Sequence, residues 1–405
     1  MIKAQSREQT EKNSPDMPGT LRIAMLGHKR IPSLEGGVEV VVEQLATRMA
    51  QFGHRVTCYN RRGHHVSGAE FDRAARKEYK GVRCVEVFTL DKKGLAAMTS
   101  SFSASVRAAF GRYDVVHVHA EGPAAFCWLP KLLGKRVIVT VHGLDHQRAK
   151  WGKFARWYIL TGEKNAVRFA DEIIVLSRGV QRYFRETYGR KTVYIPNGVE
   201  RLPCRPASGI AEKWGLEKDG YLLFLGRVVP EKGIRYLIEA FRNVRTDKKL
   251  VIAGGSSDTD AFLQEMRALA RGDERVLFTG FVQGAPKEEL YSNAYLYTLP
   301  SDVEGMPLSL LEALSYGNCC LTSDIPECAE VTDGGQPSFR RGDTEDLRQK
   351  LQGLCDDPAQ VAAYREKAAR ILSGRYDWDV NAEETLRLYR PQERVPARKN
   401  KGKEA

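Results

Sequence analysis

Long apolar runs are missing from this sequence of 405 residues. No stretch approaches the roughly 18 consecutive apolar residues that a membrane-spanning helix requires. The opening MIKAQSREQTEKNSPDMPG also lacks the apolar centre of a signal peptide. A cytosolic protein is the expectation, with any membrane association peripheral and on the inner face. Cysteine chemistry is equally thin. The eight cysteines, Cys58, Cys84, Cys127, Cys204, Cys319, Cys320, Cys328 and Cys355, are scattered, mostly among apolar residues, without a CxxC pair or zinc spacing. That pattern argues against a disulfide framework and a structural zinc site, and reads as buried free thiols. A P-loop and a GxGxxG fingerprint are absent too. So are a zinc finger, an aromatic RNA-binding motif and a long basic arm, which leaves no basis for a nucleic-acid partner.

What is present begins with charge. The formal net charge is +12, and residues 1–200 carry 33 Lys and Arg against 19 Asp and Glu, while residues 201–405 carry 30 against 32. The basic character therefore sits in the first half, where it suits an anionic partner or a solubilising surface.

The hydrophobic pattern repeats twice. LRIAMLG reads as a strand, Val38, Val41, Val42, Leu45 and Met49 recur at helical spacing, Gly53 ends the helix, and HRVTCYN reads as the next strand. VRCVEVF, DVVHVHA, RVIVTVHG, EIIVLS and TVYIPNG continue the series. PNGVERLPCRPASG then breaks the rhythm, and it restarts with YLLFLG, KLVIAGG, VLFTGFV, AYLYTLP and CCLTSD, separated by helical segments. Short apolar strands separated by longer connections predict α/β architecture with mostly parallel sheets covered on both faces. The boundaries expected are a disordered tail at 1–19, a first domain at 20–200, a second at 201–375, a helix at 376–391 crossing back, and a disordered tail at 392–405. Two such domains imply a cleft between the carboxyl edges of their sheets.

Several residues stand where that cleft needs them. Gly36 and Gly37 precede the first helix, where glycine is either a flexible turn or lets the backbone approach an anion. In GRVVPEKG, Arg227 ends a strand, Pro230 stiffens the turn and Lys232 stands near the first helical turn. A guanidinium fork beside a mobile ammonium fits a diphosphate, with solvated surface charge as the plainer alternative. In SDVEGMPLSLLEALSYGN, Glu304 lies in a loop and Glu312 inside the following helix, among Leu308, Leu311 and Leu314. A carboxylate there needs a partner, and ribose hydroxyls would serve.

The Glu304-x7-Glu312 spacing, the GRVVPEKG turn, the GG loop and VYIPNGV together resemble the retaining, nucleotide-sugar-dependent GT4 glycosyltransferases, with the GT-B fold of two Rossmann-like doubly wound domains. The opening LGHKRIPSLEGGVEVVVEQLATRMAQFGHRV is similar to bacterial rhamnosyltransferase-like enzymes of surface polysaccharide synthesis. The resemblance runs from about residue 21 to 390. It implies that Arg227 and Lys232 hold the diphosphate of a UDP-, GDP- or dTDP-sugar, helped by the Gly36–Gly37 backbone. It implies Glu312 on the ribose and Glu304 on the sugar hydroxyls, with the backbone of Gly305, Met306 and Leu308 nearby, and no bound metal. His119, the second histidine of DVVHVHAEG, would lie beside the donor sugar and the acceptor and is the catalytic candidate. His142 would shape the acceptor side, and His117, one pleat deeper, reads as core. Either of His119 and His142 could instead be a packing histidine.

The acceptor expected is a carbohydrate or a lipid-linked carbohydrate. The stretch DHQRAKWGKFARWYILTGEKNAVRFA mixes cations with Trp151, Phe154, Trp157 and Tyr158, as would suit an anionic membrane surface or a helix packed on its own domain. The rival functions are an epimerase of this architecture, a phosphorylase, and a non-catalytic sugar-binding scaffold.

Overall fold

A computed structural model describes residues 19–33, 36–63, 77–90, 92, 94–148, 151–256 and 260–390. The two expected disordered tails lie outside the described residues, apart from Gly19.

The first sheet is built from β1 (Arg22–Leu26), β2 (Arg55–Arg61), β3 (Glu78–Tyr79), β4 (Val82–Val87), β5 (Val115–His119), β6 (Arg136–Val141), β7 (Glu172–Val175) and β8 (Val193–Tyr194). Their order is β3-β4-β2-β1-β5-β6-β7-β8. Every pairing is parallel except β3 with β4. β5 is buried at all five positions, the signature of a strand covered by helices on both faces.

The second sheet contains β9 (Tyr221–Leu225), β10 (Lys249–Ala253), β11 (Val276–Gly280), β12 (Leu296–Leu299), β13 (Cys320–Ser323) and β14 (Ser338–Phe339). Its order is β11-β10-β9-β12-β13-β14, parallel throughout. One apolar cluster, centred on residues such as Leu222, Phe224, Ile252 and Leu311, fills this domain. The first sheet instead has a cluster on each face.

Two chain crossings join the domains. The first follows β8 and leads to the helix Gly209–Trp214. The second leads into the helix Trp378–Tyr389, whose Asp377 accepts hydrogen bonds from the backbone N–H of Asp379 and Val380, as a helix N-cap should. This helix returns to the first domain. Trp378, Ala382 and Tyr389 enter a first-domain cluster, and the Tyr389 hydroxyl lies 2.6 Å from His117 Nδ1. The crossings touch: Val199 N–H donates to the Tyr376 carbonyl at 2.8 Å, and a Cβ on Gly198 would lie 2.7 Å from Trp378 N.

Six of the cysteines are buried, as expected, whereas Cys204 is exposed and Cys355 half-buried. Cys204 departs from the expectation because it lies in the first connector, away from either core. Among the described residues, no helix is long and apolar enough to cross a membrane.

Candidate active site

Among its parallel strands each sheet reverses its order once, between β1 and β5 in the first and between β9 and β12 in the second. Loops leaving the carboxyl ends of strands at such a reversal run to opposite faces and leave a crevice between them. The loop after β1 leads to Gly36 and the helix Gly37–Gln51, and β5 ends at His119. The loop after β9 carries Arg227 and Lys232, and the loop after β12 carries Glu304, Gly305 and Met306. The candidate residues, far apart in the chain, thus cluster at the two reversals.

Contacts between the domains bring these loops face to face. A Cβ on Gly37 would lie 3.6 Å from Leu308 Cδ1, at the start of the helix Leu308–Ser315. A Cβ on Gly305 would fall 1.6 Å from the His142 carbonyl oxygen, and one on Gly143 would fall 2.9 Å from Gly305 Cα. Only glycine permits two backbones to approach so closely. Asn197, from the VYIPNGV segment, donates its side-chain amide to the Met306 carbonyl at 3.3 Å. Arg148 stands 3.9 Å from Glu231 across the same divide.

In the second domain, Gly233 adopts φ 66°, and a Cβ there would lie 2.0 Å from the Pro300 carbonyl oxygen. That approach locks the Arg227–Gly233 loop onto the end of β12, helped by the Asp302 N–H donating to the Glu231 carbonyl at 2.9 Å. The Lys232 ammonium consequently pairs with Glu304, and the Ser301 hydroxyl donates to Glu304 at 2.6 Å. Burial alone would push the Glu304 carboxyl up, but the Lys232 charge and the hydrogen bonds from Lys232 and Ser301 outweigh it and hold the group below its ordinary value. Glu312 is met by Lys287 at 2.6 Å and by the Tyr291 hydroxyl at 3.1 Å. Its partner in the structure is therefore a cation and a phenol, which the sequence reading missed. Lys287 and Tyr291 stand four residues apart in the helix Ala285–Asn293, where they look like ordinary amphipathic patterning.

The histidines form a buried chain. His117 is held by the Tyr389 hydroxyl and, at 2.7 Å, by Thr140, and its ring lies 4.1 Å from that of His119. His119 Nδ1 is 3.2 Å from His142 Nε2. Burial, with His117, His142 and His28 beside it, holds His119 well below the ordinary imidazole range. Burial does the same to His117 and His142, each at about 3, with His142 adding to the first and Arg148 to the second. At neutral pH these rings are therefore neutral donors and acceptors. His119 was expected at the edge of the cleft. It does end β5, but it is fully buried, and its Nε2 has no hydrogen-bond partner among the described residues. The next residue, Ala120, adopts φ 75° and ψ 156°, a conformation nearly confined to glycine that costs on the order of 1–3 kcal/mol and clusters at functional sites.

Sequence profiles agree with this architecture. Glycosyltransferase Family 4 matches residues 35–201, and Glycosyl transferases group 1 matches residues 219–357. The chain belongs to the GT4 family of GT-B glycosyltransferases. Glycogen synthase from Mycobacterium tuberculosis is 26% identical, over 93% of this chain and 98% of that protein. D-inositol 3-phosphate glycosyltransferase from Kineococcus radiotolerans is also 26% identical, over 88% and 90%. In fold, this GT4 chain is similar to sucrose-phosphate synthase from Thermosynechococcus elongatus, with TM-score 0.77, 20% identity, and 91% and 98% of the two chains covered. It is similar also to Anabaena Alr3699/HepE, solved with UDP and glucose, with TM-score 0.75, 16% identity and the same coverage. Among the functions weighed from the sequence, sugar transfer is the one that stands.

Proposed function

We propose that this GT4 enzyme transfers a sugar from a nucleoside-diphosphate sugar to a carbohydrate hydroxyl, with retention of anomeric configuration, in the synthesis of a bacterial surface polysaccharide or glycolipid. The observation that carries the reading is the gathering of Arg227, Lys232, Glu304 and the Gly36–Gly37 turn at the strand-order reversals of two facing sheets. In this reading Arg227 and Lys232 neutralise the diphosphate as charge develops on it, so that the protein's own cations meet the leaving group rather than a metal. Glu312, held by Lys287 and Tyr291, receives the ribose. Glu304 engages the sugar hydroxyls, and the backbone of Gly305, Met306 and Leu308 completes the donor side. His119 offers its unpartnered Nε2 toward the sugar and acceptor as a neutral hydrogen-bonding group, and His142 shapes the acceptor side.

Lys232 and Glu304 are paired here, so the incoming phosphate competes with a carboxylate for the ammonium. The exchange leaves Glu304 free for the sugar at the moment the donor arrives. Attack then occurs on the face that the diphosphate leaves, and the configuration of the product, read by NMR, tests retention; inversion would overturn it.

The donor reading is tested by thermal shift with UDP, GDP, dTDP and ADP. A ligand at one hundred times its Kd adds about 2.7 kcal/mol to the folded state. UDP is the nucleotide expected to stabilise, given the UDP complex of the similar Anabaena fold, and Arg227→Ala is expected to abolish the shift. Failure of all four nucleotides would overturn the donor assignment.

The acceptor side includes an exposed face on the helix Lys153–Phe169. Phe154 is 67% and Trp157 61% exposed, their rings 5.8 Å apart, beside exposed Lys153 and Arg156. That combination suits an anionic membrane bearing a lipid-linked acceptor. Sedimentation with anionic but not neutral vesicles checks it, and equal absence from both would remove it.

A further inference from the structure

Behind the histidine chain lies a cluster that sugar transfer does not use. Glu121 opens a short helix directly after Ala120, His146 lies in the turn Asp145–Gln147, and Glu163 belongs to the helix Lys153–Phe169. Gly162 brings that helix against the first element, since a Cβ there would lie 1.9 Å from the Glu121 carbonyl oxygen. Both glutamates are fully buried. One oxygen of each is satisfied: Glu121 Oε2 accepts from the Asp145 N–H at 2.7 Å, and Glu163 Oε1 accepts from the hydroxyls of Tyr183, at 2.8 Å, and Tyr188. The other oxygens, Glu121 Oε1 and Glu163 Oε2, have no hydrogen-bond partner, and neither does His146 Nδ1. These three atoms lie within 4.8 Å of one another.

We propose that Glu121 Oε1, His146 Nδ1 and Glu163 Oε2 form a binding site for a divalent transition-metal cation of the Zn2+ or Mn2+ class. His146 Nδ1 stands 3.3 Å from Glu163 Oε2 and 3.9 Å from Glu121 Oε1. Charge-assisted hydrogen bonds run near 2.7–2.9 Å, so both gaps are longer than a shared proton would set. Ligands about 2.1 Å from a tetrahedral ion stand roughly 3.4 Å apart, which matches the shorter gap and is approached by the longer. Two carboxylates buried together also need a positive charge; among the described residues only the His146 imidazole is ion-paired with them, and a bound cation would take the place of its proton. Imidazole with two carboxylates favours Zn2+ or Mn2+ over Mg2+ and Ca2+. The hydrogen bonds from Asp145, Tyr183 and Tyr188 are the outer partners that aim such ligands.

The site departs from the expectation that the chain holds no metal, and it does not depend on the donor assignment. It joins the element two residues past His119 to the turn four residues past His142, so the cation is a positioning centre for the wall of the cleft.

The test uses the full chain, stripped with a chelator and titrated with Zn2+ and, separately, Co2+. Wild type is expected to retain one Zn2+ per chain by elemental analysis and to give visible Co2+ absorption bands. His146→Gln and Glu163→Gln are expected to lose both, and Tyr183→Phe to weaken binding roughly 10- to 100-fold. Circular dichroism reports whether each variant is folded, and Tyr183→Phe carries the comparison if a ligand variant is not. Absence of stoichiometric metal from wild type, or retention unchanged by the substitutions, would overturn the proposal. The nucleotide thermal shift, run in parallel, reports on the donor site independently.

Discussion

Lys232 and Glu304 have side chains only 13% and 9% exposed, so neither charge can turn to water when its partner is removed. Lys232→Ala is therefore expected to destabilise the second domain by roughly 3–5 kcal/mol, the range for breaking a buried pair. Adding Glu304→Gln should recover more than half of that loss, because the stranded charge is gone. Chemical denaturation of the single and double variants checks this, and equal stability of the two would sink it. Both residues were legible in the sequence because each lies in a short motif with turn chemistry. Glu121, His146 and Glu163 were not, since three distant segments supply one ligand atom each and no spacing links them. Glu312 falls between: its need for a partner was readable, but Lys287 and Tyr291 were not.

At the level of elements, the long apolar strands were plain. β3 and β14 escaped notice because their two residues lie outside any apolar run, whereas the equally short β8 lies within TVYIPNG. The helix Trp378–Tyr389 was readable as a helix crossing back to the first domain, whereas the polar contacts that help hold it there, Tyr389 to His117 and Asn381 to the Pro196 carbonyl among them, are not revealed by any periodicity. Removing the hydroxyl in Tyr389→Phe leaves His117 Nδ1 buried without its partner at 2.6 Å. A loss of about 1–3 kcal/mol is expected, measured by thermal unfolding. An unchanged Tm would show that the contact is dispensable.

Across the whole molecule, buried neutral histidines make stability depend on pH. Burial lowers His28 to about 4, against the opposing pull of Glu39 and Asn60, and His117 and His142 stand at about 3. Their folded values lie below the unfolded value near 6.5, so the unfolded chain binds more protons between the two. The contribution is complete above about pH 6.5 and is lost as pH falls toward 3–4, at up to about 1.4 kcal/mol per pH unit for each ring. His146, raised to about 9 by Glu121 and Glu163, works in the opposite sense, but it is one ring against three, so Tm at pH 5.0 should lie below Tm at pH 7.5, and a flat profile would contradict neutral burial.

The crossings that join the domains, tied at Val199 and Tyr376 and at Gly198 and Trp378, also decide how the cleft can move. A body held by one strand of chain can twist and slide as well as swing. One held by two strands fastened side by side behaves like a door hung on two pins along a single axis. Closure after any opening about that axis would bring Gly305 back to the same place against His142, so the two halves of the site would meet in the same alignment without having to search for it.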